Sequence, residues 1–354
     1  MHSWSLALAF GLFSGVYAHV VAPRDPQSST AASINVPTYA SIDAASALGA
    51  KIGPSGYYTE DFGGGAYMVT DGSYQSLVLV SNDGVIVVDA PPSIGHKLLY
   101  AIGNITNASV THLVYTHNHA DHIGGAAIFD PAVEIVAHYE TAQLLAQVND
   151  TNRPPPTQTF HTSHTIGCGN QTLRLEYKGD NHIRGNIFVY APKQKVLMLV
   201  DVIFPGWVPF SQLGEAKNVP GFILAHDQVL AYDFKHFVGG HLERSGNRQD
   251  VLVQKEFMND LFTNCKYAID QSATNNPILG AGPLLAAVSG KDSGNPWALF
   301  KVYLDLVVGY CSNTTNEKWL NRLAGADIFD TDNAMTMIES LRIDYGVLGP
   351  FQLQ

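Results

Sequence analysis

Residues 115–125 read Tyr-Thr-His-Asn-His-Ala-Asp-His-Ile-Gly-Gly and place three histidines and one aspartate within six positions. An apolar, β-prone segment at 112–115 precedes the histidines and two glycines follow, a pattern that predicts a strand, a loop and a short helix. On extended backbone His117 and His119 face the same way, and Asp121 and His122 follow where the chain turns. Neutral imidazole nitrogens and carboxylate oxygens bind zinc, so the stretch predicts a metal site rather than an ordinary polar loop.

The same string, His-x-His-x-Asp-His, resembles the signature of the metallo-β-lactamase superfamily, the αββα metallohydrolases. The resemblance covers about residues 64–245 and implies further ligands downstream. His182 precedes a Gly-Asn pair and a predicted β hairpin, Asp201 ends the second strand of that hairpin, and His241 follows a Val-Gly-Gly sequence. Each of the three takes the place of one of the family's later ligands.

The resemblance implies two zinc ions per chain, held by seven side chains: His117, His119 and His182 at the first ion, Asp121, His122 and His241 at the second, and Asp201 as the bridge. Two such ions about 3.5–4 Å apart share a hydroxide that attacks a carbonyl carbon, and one ion polarises the carbonyl oxygen. Asp121 is also the candidate catalytic residue, because its carboxylate is suited to orienting the nucleophile.

Three further residues are candidates for the surroundings of this site. Asp89 ends a predicted strand and resembles a carboxylate that hydrogen-bonds a ligand histidine or its loop, with a strand-end cap as the alternative. Trp207 and Phe210 follow Asp201 and are candidates for an apolar substrate wall, with core packing as the alternative. The other histidines considered have no family position and are expected in packing or surface roles: His112, His138, His161, His164, His226 and His236.

The residue at position 201 separates branches of the family. True β-lactamases carry Cys or Ser there, whereas Asp201 is similar to the glyoxalase II and acyl-homoserine-lactone lactonase branches. The resemblance therefore implies a secreted zinc-dependent hydrolase that cleaves a lactone, ester or thioester of a small molecule. The alternatives are a β-lactamase-type amide hydrolase and a mononuclear iron, persulfide-dioxygenase-like oxidoreductase. A binding protein without catalysis is disfavoured, because every expected ligand is present.

The composition bounds the partners of the chain. Its 354 residues are 46% hydrophobic and 14% charged, with a formal net charge of −11. Such an acidic chain, without a cluster of Lys or Arg, argues against nucleic acid as a partner and leaves a small-molecule substrate. The sequence does not indicate an oligomeric state.

The N-terminus and the sequons predict a secreted glycoprotein. A short apolar run at 6–13 is followed by Val16-Tyr17-Ala18, which has the small residues of a signal-peptide cleavage site. No other segment is long and apolar enough to span a bilayer, so we expect no membrane segment after cleavage. Five Asn-x-Ser/Thr sequons support the secretory route: Asn104, Asn107, Asn149, Asn170 and Asn313. Of three cysteines, Cys265 and Cys311 are the favoured disulfide, which leaves Cys168 unpaired.

We predict an α/β fold, an αββα metallo-β-lactamase sandwich with a helical C-terminal extension. The predicted segments are a signal peptide at 1–18, a lead at 19–60, the metallo-β-lactamase-like domain at 61–248 and the extension at 249–354. Strand patterns at 66–70, 75–80 and 85–89 predict an antiparallel meander. Helical patterns lie at 94–103, 140–148, 227–237, 249–271, 296–311, 317–324 and 332–342.

Overall fold

The computed structural model describes residues 52–292 and 295–351, and the predictions for residues 1–51 lie outside these ranges. The first sheet contains seven strands in chain order: β1 (Tyr58–Gly63), β2 (Ala66–Thr70), β3 (Gln75–Ser81), β4 (Gly84–Val88), β5 (Val110–Val114), β6 (Glu134–His138) and β7 (Gln158–Phe160). Strands β1 to β4 pair antiparallel, and the predicted meander corresponds to β2, β3 and β4. Strands β4 to β7 pair parallel.

The second sheet contains five strands in the spatial order β12-β11-β10-β9-β8. They are β8 (Ser163–Cys168), β9 (Gln171–Glu176), β10 (Phe188–Ala191), β11 (Val196–Met198) and β12 (His236–Val238). Strands β8 to β11 pair antiparallel, whereas β12 pairs parallel to β11. The chain therefore returns to this sheet from a distant segment, and the strand ends of β11 and β12 lie side by side.

Alternating side chains build the layers of the sandwich. In β3, Leu77 and Leu79 belong to the apolar cluster between the two sheets, which also contains Leu173 of β9. Val78 points to the opposite face and joins a second cluster with Leu98 of the helix that covers this sheet. Because successive strand residues face opposite ways, one hydrophobic run supplies two cores, and the result is helix on sheet on sheet on helix.

Eight helices lie in the described residues: α1 (Lys97–Ile105), α2 (Ala120–Ile123), α3 (Tyr139–Val148), α4 (Val219–Leu230), α5 (Arg248–Ser272), α6 (Ala281–Asp292), α7 (Pro296–Trp319) and α8 (Ala326–Ile343). Short 3-10 turns lie at Ala126–Ile128 and Gly349–Phe351. The segment Ser211–Glu215 is a left-handed turn. No helix within the described ranges has both the length and the apolar character that crossing a bilayer requires.

The helix predicted at 227–237 is wrong in its bounds. Helix α4 begins eight residues earlier, at Val219, because the Asn218 side chain accepts a hydrogen bond from Gly221 N and Pro220 lies in the first turn. The end of the predicted helix is instead strand β12, whose Phe237 pairs with Leu197 of β11. The short run at 236–238 is compatible with the periodicity of a helix and with that of a strand, and its pairing with β11 makes it a strand.

The helix predicted at 296–311 and the first residues of the one predicted at 317–324 form a single helix, α7, which ends at Trp319. The polar Ser-Asn-Thr-Thr-Asn stretch at 312–316, which separated the two predicted helices, lies within α7, and Ser312 and Thr315 are buried there. The Thr315 hydroxyl also accepts a hydrogen bond of 3.1 Å from Asn264 Nδ2 in α5. Tertiary packing thus overrides the weak helix propensity of these residues.

The C-terminal helices share their core with the second sheet. One buried cluster contains Phe188 of β10, Phe222 of α4, Phe257 of α5, Val307 of α7 and Met337 of α8. The extension therefore packs on the outer face of the sandwich. The predicted Cys265–Cys311 disulfide is present and joins α5 to α7, and Cys168 is a buried free thiol.

Candidate metal centre

Strand β5 delivers the histidine-rich loop to one end of the first sheet. After Val114 the chain stays extended through Tyr115, and the Thr116 carbonyl accepts a hydrogen bond from Ile187 N, next to the second sheet. His119 occupies the N-cap position of α2, so the chain turns there and carries Asp121 and His122 in the helix itself. The predicted strand, loop and short helix are all present.

The seven predicted ligand residues converge into two groups. The ligand atoms of each group lie within 4.8 Å of one another, and the groups are His117, His119, His182 and Asp201, then Asp121, His122 and His241. The residues come from four segments: the loop after β5, the loop before β10, the turn after β11 and the turn after β12. The turn after β12 requires a glycine at position 240, because Gly240 has φ 89° and a Cβ there would lie 2.5 Å from Val200 Cγ1.

Asp201 lies between the two groups. Its Oδ2 atom is 3.4 Å from His117 Nε2, 3.3 Å from His182 Nε2 and 3.2 Å from His122 Nε2. Its Oδ1 atom is 2.8 Å from His241 Nε2. One carboxylate therefore faces histidines of both groups, which is the arrangement that a bridging ligand requires.

The donor set fits two metal ions. His182 Nε2 lies 3.0 Å from His119 Nδ1, and His122 Nε2 lies 3.1 Å from His241 Nε2. The buried His117 Nε2 has no hydrogen-bond partner among the described residues. Imidazole nitrogens that face one another and a carboxylate, without protein donors to satisfy them, leave their lone pairs to a cation.

Burial and charge set the protonation of these groups. Burial lowers the pKa of His117 well below its usual value and that of His182 to about 4, so both rings are neutral at pH 7. Burial also opposes charge on His122, but the carboxylates led by Asp201 outweigh it and raise the pKa of His122 to about 9. Burial favours protonation of Asp201, yet His122 and His182 hold the pKa of that carboxyl well below its usual range.

Asp89 contacts the loop that carries His117. Its Oδ1 accepts a hydrogen bond of 2.8 Å from Thr116 N, and its Oδ2 accepts one of 2.7 Å from Thr116 Oγ1. The same hydroxyl oxygen lies 3.0 Å from His117 Nδ1. The carboxylate thus reaches the histidine through one hydroxyl rather than directly. Asp89 is fully buried with φ 61°, a conformation that Asp tolerates better than most residues.

Tyr74, in the β2–β3 turn, contacts the second group, and the sequence reasoning missed it. Its hydroxyl donates to Asp121 Oδ2 at 3.3 Å, and its ring lies edge-on to His122 with centroids 5.4 Å apart. Burial and the neighbouring Asp121 raise the pKa of Tyr74 to about 12, so its hydroxyl remains a donor at neutral pH.

A cavity of about 460 Å³ opens above the two groups. Its lining combines predicted ligands with residues that the sequence reasoning did not single out, namely Arg153, Phe204, Ser211, Gly214 and Glu215. Of the two predicted wall residues, Phe210 lines the cavity, but Trp207 does not and stands behind it with ring centroids 6.0 Å apart. The Trp207 backbone pairs with Ala324 of the extension, which favours the packing alternative given for this residue.

The histidines expected to have packing or surface roles join neither group. His138 Nε2, for example, lies 2.8 Å from the His161 carbonyl and stacks on Tyr177. The buried His226 lies between the Phe222 carbonyl and the Gln254 side chain.

The sequence matches the metallo-beta-lactamase superfamily over residues 69–213. It is 29% identical over 196 residues to the 2,4-dinitroanisole O-demethylase subunit alpha of Nocardioides sp. (strain JS1661), covering 54% of this chain and 59% of that protein. It is 27% identical over 138 residues to metallo-beta-lactamase IND-1 of Chryseobacterium indologenes, covering 38% of this chain and 55% of that protein. The matches thus span less than two thirds of the length of either relative.

A solved structure shares the fold. The metallo-beta-lactamase from Pontibacter korlensis is 22% identical, with a TM-score of 0.50 over 57% of this chain and 99% of that chain. An αββα sandwich that gathers His and Asp side chains at one end of its sheets is a metallohydrolase fold. This chain carries a metallo-beta-lactamase superfamily domain, which confirms the predicted family and fold class. The C-terminal extension, residues 249–354, lies beyond the residues that match the superfamily.

Proposed function

We propose that the chain is a zinc-dependent hydrolase that cleaves a lactone, ester or thioester bond of a small molecule. The observation that carries the proposal is the Asp201 carboxylate, which faces histidines of two ligand groups at the base of the cavity. Two zinc ions, when bound by these groups, supply a water whose pKa is near neutrality and an electrophile for the substrate carbonyl.

Asp121 is the proposed catalytic residue. Its side chain is 45% exposed and lines the cavity, so a substrate and an attacking water can reach it, whereas Asp201 is buried between the histidines, and Glu215 belongs to neither ligand group. The Tyr74 hydroxyl holds one of its oxygens at 3.3 Å and leaves the other available to orient the water and accept its proton.

The cavity suits a small molecule with an apolar part next to a polar acyl group. Phe204 and Phe210 provide an apolar side, and Arg153 is the only Lys or Arg among its described lining residues. Lactones, esters and thioesters have oxygen or sulfur leaving groups, which need little protonation. The nitrogen of a β-lactam leaves as an anion that the site must stabilise, which is more difficult. The β-lactamase-type reaction is therefore the second candidate.

Aryl methyl ether hydrolysis is another candidate. The relative with 29% identity is named as a subunit of an O-demethylase, and its match extends over 54% of this chain. The same ligand groups would serve that reaction, so it belongs in the substrate comparison.

The test is metal analysis followed by a substrate panel on the full secreted chain. We expect about two equivalents of zinc per chain, loss of activity on chelation and recovery with zinc. Lactones, esters and thioesters should give higher kcat/KM than penicillins, carbapenems or 2,4-dinitroanisole. One equivalent of iron without zinc would support the dioxygenase reading instead, and a best rate on β-lactams or the ether would overturn the substrate class.

We also propose secretion and glycosylation, which rest on the N-terminal sequence and the sequons. All five sequon asparagines are exposed, and the Cys265–Cys311 disulfide suits an oxidising compartment. N-terminal sequencing of protein from the medium should begin near His19, and glycosidase treatment should lower its mass. An intact Met1 on unglycosylated protein retained in the cell would contradict the proposal.

A further inference from the structure

The turn Ser211–Glu215 has an uncommon backbone conformation. Gln212 (φ 58°, ψ 39°), Leu213 (φ 57°, ψ 45°) and Gly214 (φ 63°, ψ 36°) are all left-handed, and Glu215 follows at φ 58°. Each non-glycine residue in this region costs about 1–2 kcal/mol relative to a right-handed helix. A run of this kind persists only where the surrounding structure holds it, and such runs often lie at functional sites.

Helix α8 of the C-terminal extension holds this turn. Leu213 N donates a hydrogen bond of 2.7 Å to Asn333 Oδ1, and Asn333 Nδ2 donates one of 2.8 Å to the Pro209 carbonyl. Ser211 Oγ donates to Asp332 Oδ2 at 2.6 Å. Asn333 is fully buried, so both of its hydrogen bonds are shielded from water, and one amide fixes the chain on both sides of Phe210.

The other side of the turn contacts the candidate metal centre. A Cβ added to Gly214 would lie 3.3 Å from the Asp201 carbonyl and 3.1 Å from Phe204 Cζ, so the backbone fits closely against the bridging residue. Ser211, Gly214 and Glu215 line the same cavity as the predicted ligands His182, Asp201 and His241. The turn therefore forms the wall of the cavity next to the candidate metal centre.

We propose that Asn333 is a positioning residue through which the C-terminal extension sets the cavity wall formed by Ser211, Gly214 and Glu215. The path runs from Asn333 to Leu213 and to the adjacent Gly214, whose backbone fits against the Asp201 carbonyl. Asn333 touches neither metal ligand nor cavity, and it lies outside the residues that match the superfamily. The extension is then a specificity element of this chain rather than a purely structural addition. The effect on substrate specificity rests on the proposed function, whereas the hydrogen bonds from Asn333 to the turn do not depend on it.

The test compares Asn333→Ala with Asn264→Ala in the full chain. Asn264 makes the hydrogen bond from α5 to Thr315 in α7, so its variant perturbs the packing of the C-terminal extension without touching the turn. For Asn333→Ala we expect faster amide exchange at 211–215 and an altered ratio of kcat/KM between small and bulky substrates, because the cavity wall is no longer held in place. Asn264→Ala should lower Tm and change neither of these two quantities.

Several outcomes would overturn the inference. Unchanged amide exchange at 211–215 in Asn333→Ala would do so, as would equal changes in both variants. If Asn333→Ala does not fold because of the cavity it leaves, Asn333→Leu fills that space and still removes the acceptor for Leu213 N, and the same comparison applies to it. If the wild type binds no zinc, the proposed function fails, and the exchange measurement on the metal-free chain still decides the role of Asn333.

Discussion

In Asp201→Ala, we expect zinc content to fall from two equivalents towards one and turnover to fall by at least about 100-fold. Among the described residues, Asp201 is the side chain whose oxygens face both histidine groups, with Oδ1 at 2.8 Å from His241 and Oδ2 at 3.3 Å from His182. Alanine removes both contacts and leaves the imidazoles facing one another without a shared anion. The measurement is elemental analysis and kcat/KM on the same preparations.

The fold should survive this change. Asp201 lies at a strand end with φ 64°, where Ala is less favourable than Asp or Asn by about 1 kcal/mol, a small part of the stability of a domain. Asp201→Asn is the matched variant, because it keeps the shape and the backbone preference and removes only the charge. Both variants should lose zinc and rate. Full zinc content and full rate in either one would show that Asp201 does not bridge.

Four of the seven ligands could be predicted from their local sequence alone. The spacing of His117, His119, Asp121 and His122 follows from one strand and one turn, so their proximity could be predicted without tertiary information. His182, Asp201 and His241 required the family resemblance, because nothing in their own neighbourhoods requires them to meet. The structure brings them together because β12 pairs parallel to β11 and aligns the two strand ends.

The cavity wall could not be predicted in the same way. Arg153 lines the cavity because its Nη1 donates to the Asn118 carbonyl at 2.7 Å, a contact between segments 35 residues apart. Glu215 reaches it through a left-handed turn that no propensity favours, held by Asn333 more than 100 residues later. The surroundings of Trp207 depend on a distant segment in the same way, since its backbone partner Ala324 lies in the extension. The apolar composition of the segment predicted an apolar wall, but it did not predict which aromatic residue lines the cavity.

The second large effect is expected from Asp89→Asn, through the tautomer of His117. In the wild type both Thr116 N and Thr116 Oγ1 donate to the carboxylate, so the hydroxyl oxygen must accept from His117 Nδ1–H. This leaves a lone pair on His117 Nε2, the atom 3.4 Å from Asp201. Asparagine presents one oxygen and one NH₂, so the Thr116 backbone keeps the oxygen and the hydroxyl accepts from the NH₂. The hydroxyl then donates to His117 Nδ1, and the ring proton moves to Nε2, where it blocks a metal.

We therefore expect Asp89→Asn to weaken zinc binding about 10–100-fold, measured by chelator competition, with a parallel loss of turnover. Ser76→Ala is the control, because its buried hydroxyl donates to the Asp89 carbonyl at 2.9 Å and takes no part in the path to His117. The metal-free chain gives a second readout. Burial raises the pKa of Asp89 to about 7, above its unfolded value, so its favourable contribution to stability is present below about pH 4 and is lost as the pH rises through 7. Asparagine cannot ionise, so the stability of Asp89→Asn relative to wild type should be lower at pH 5 than at pH 8. Wild-type zinc affinity in Asp89→Asn, or a loss matched by Ser76→Ala, would rule out the tautomer path.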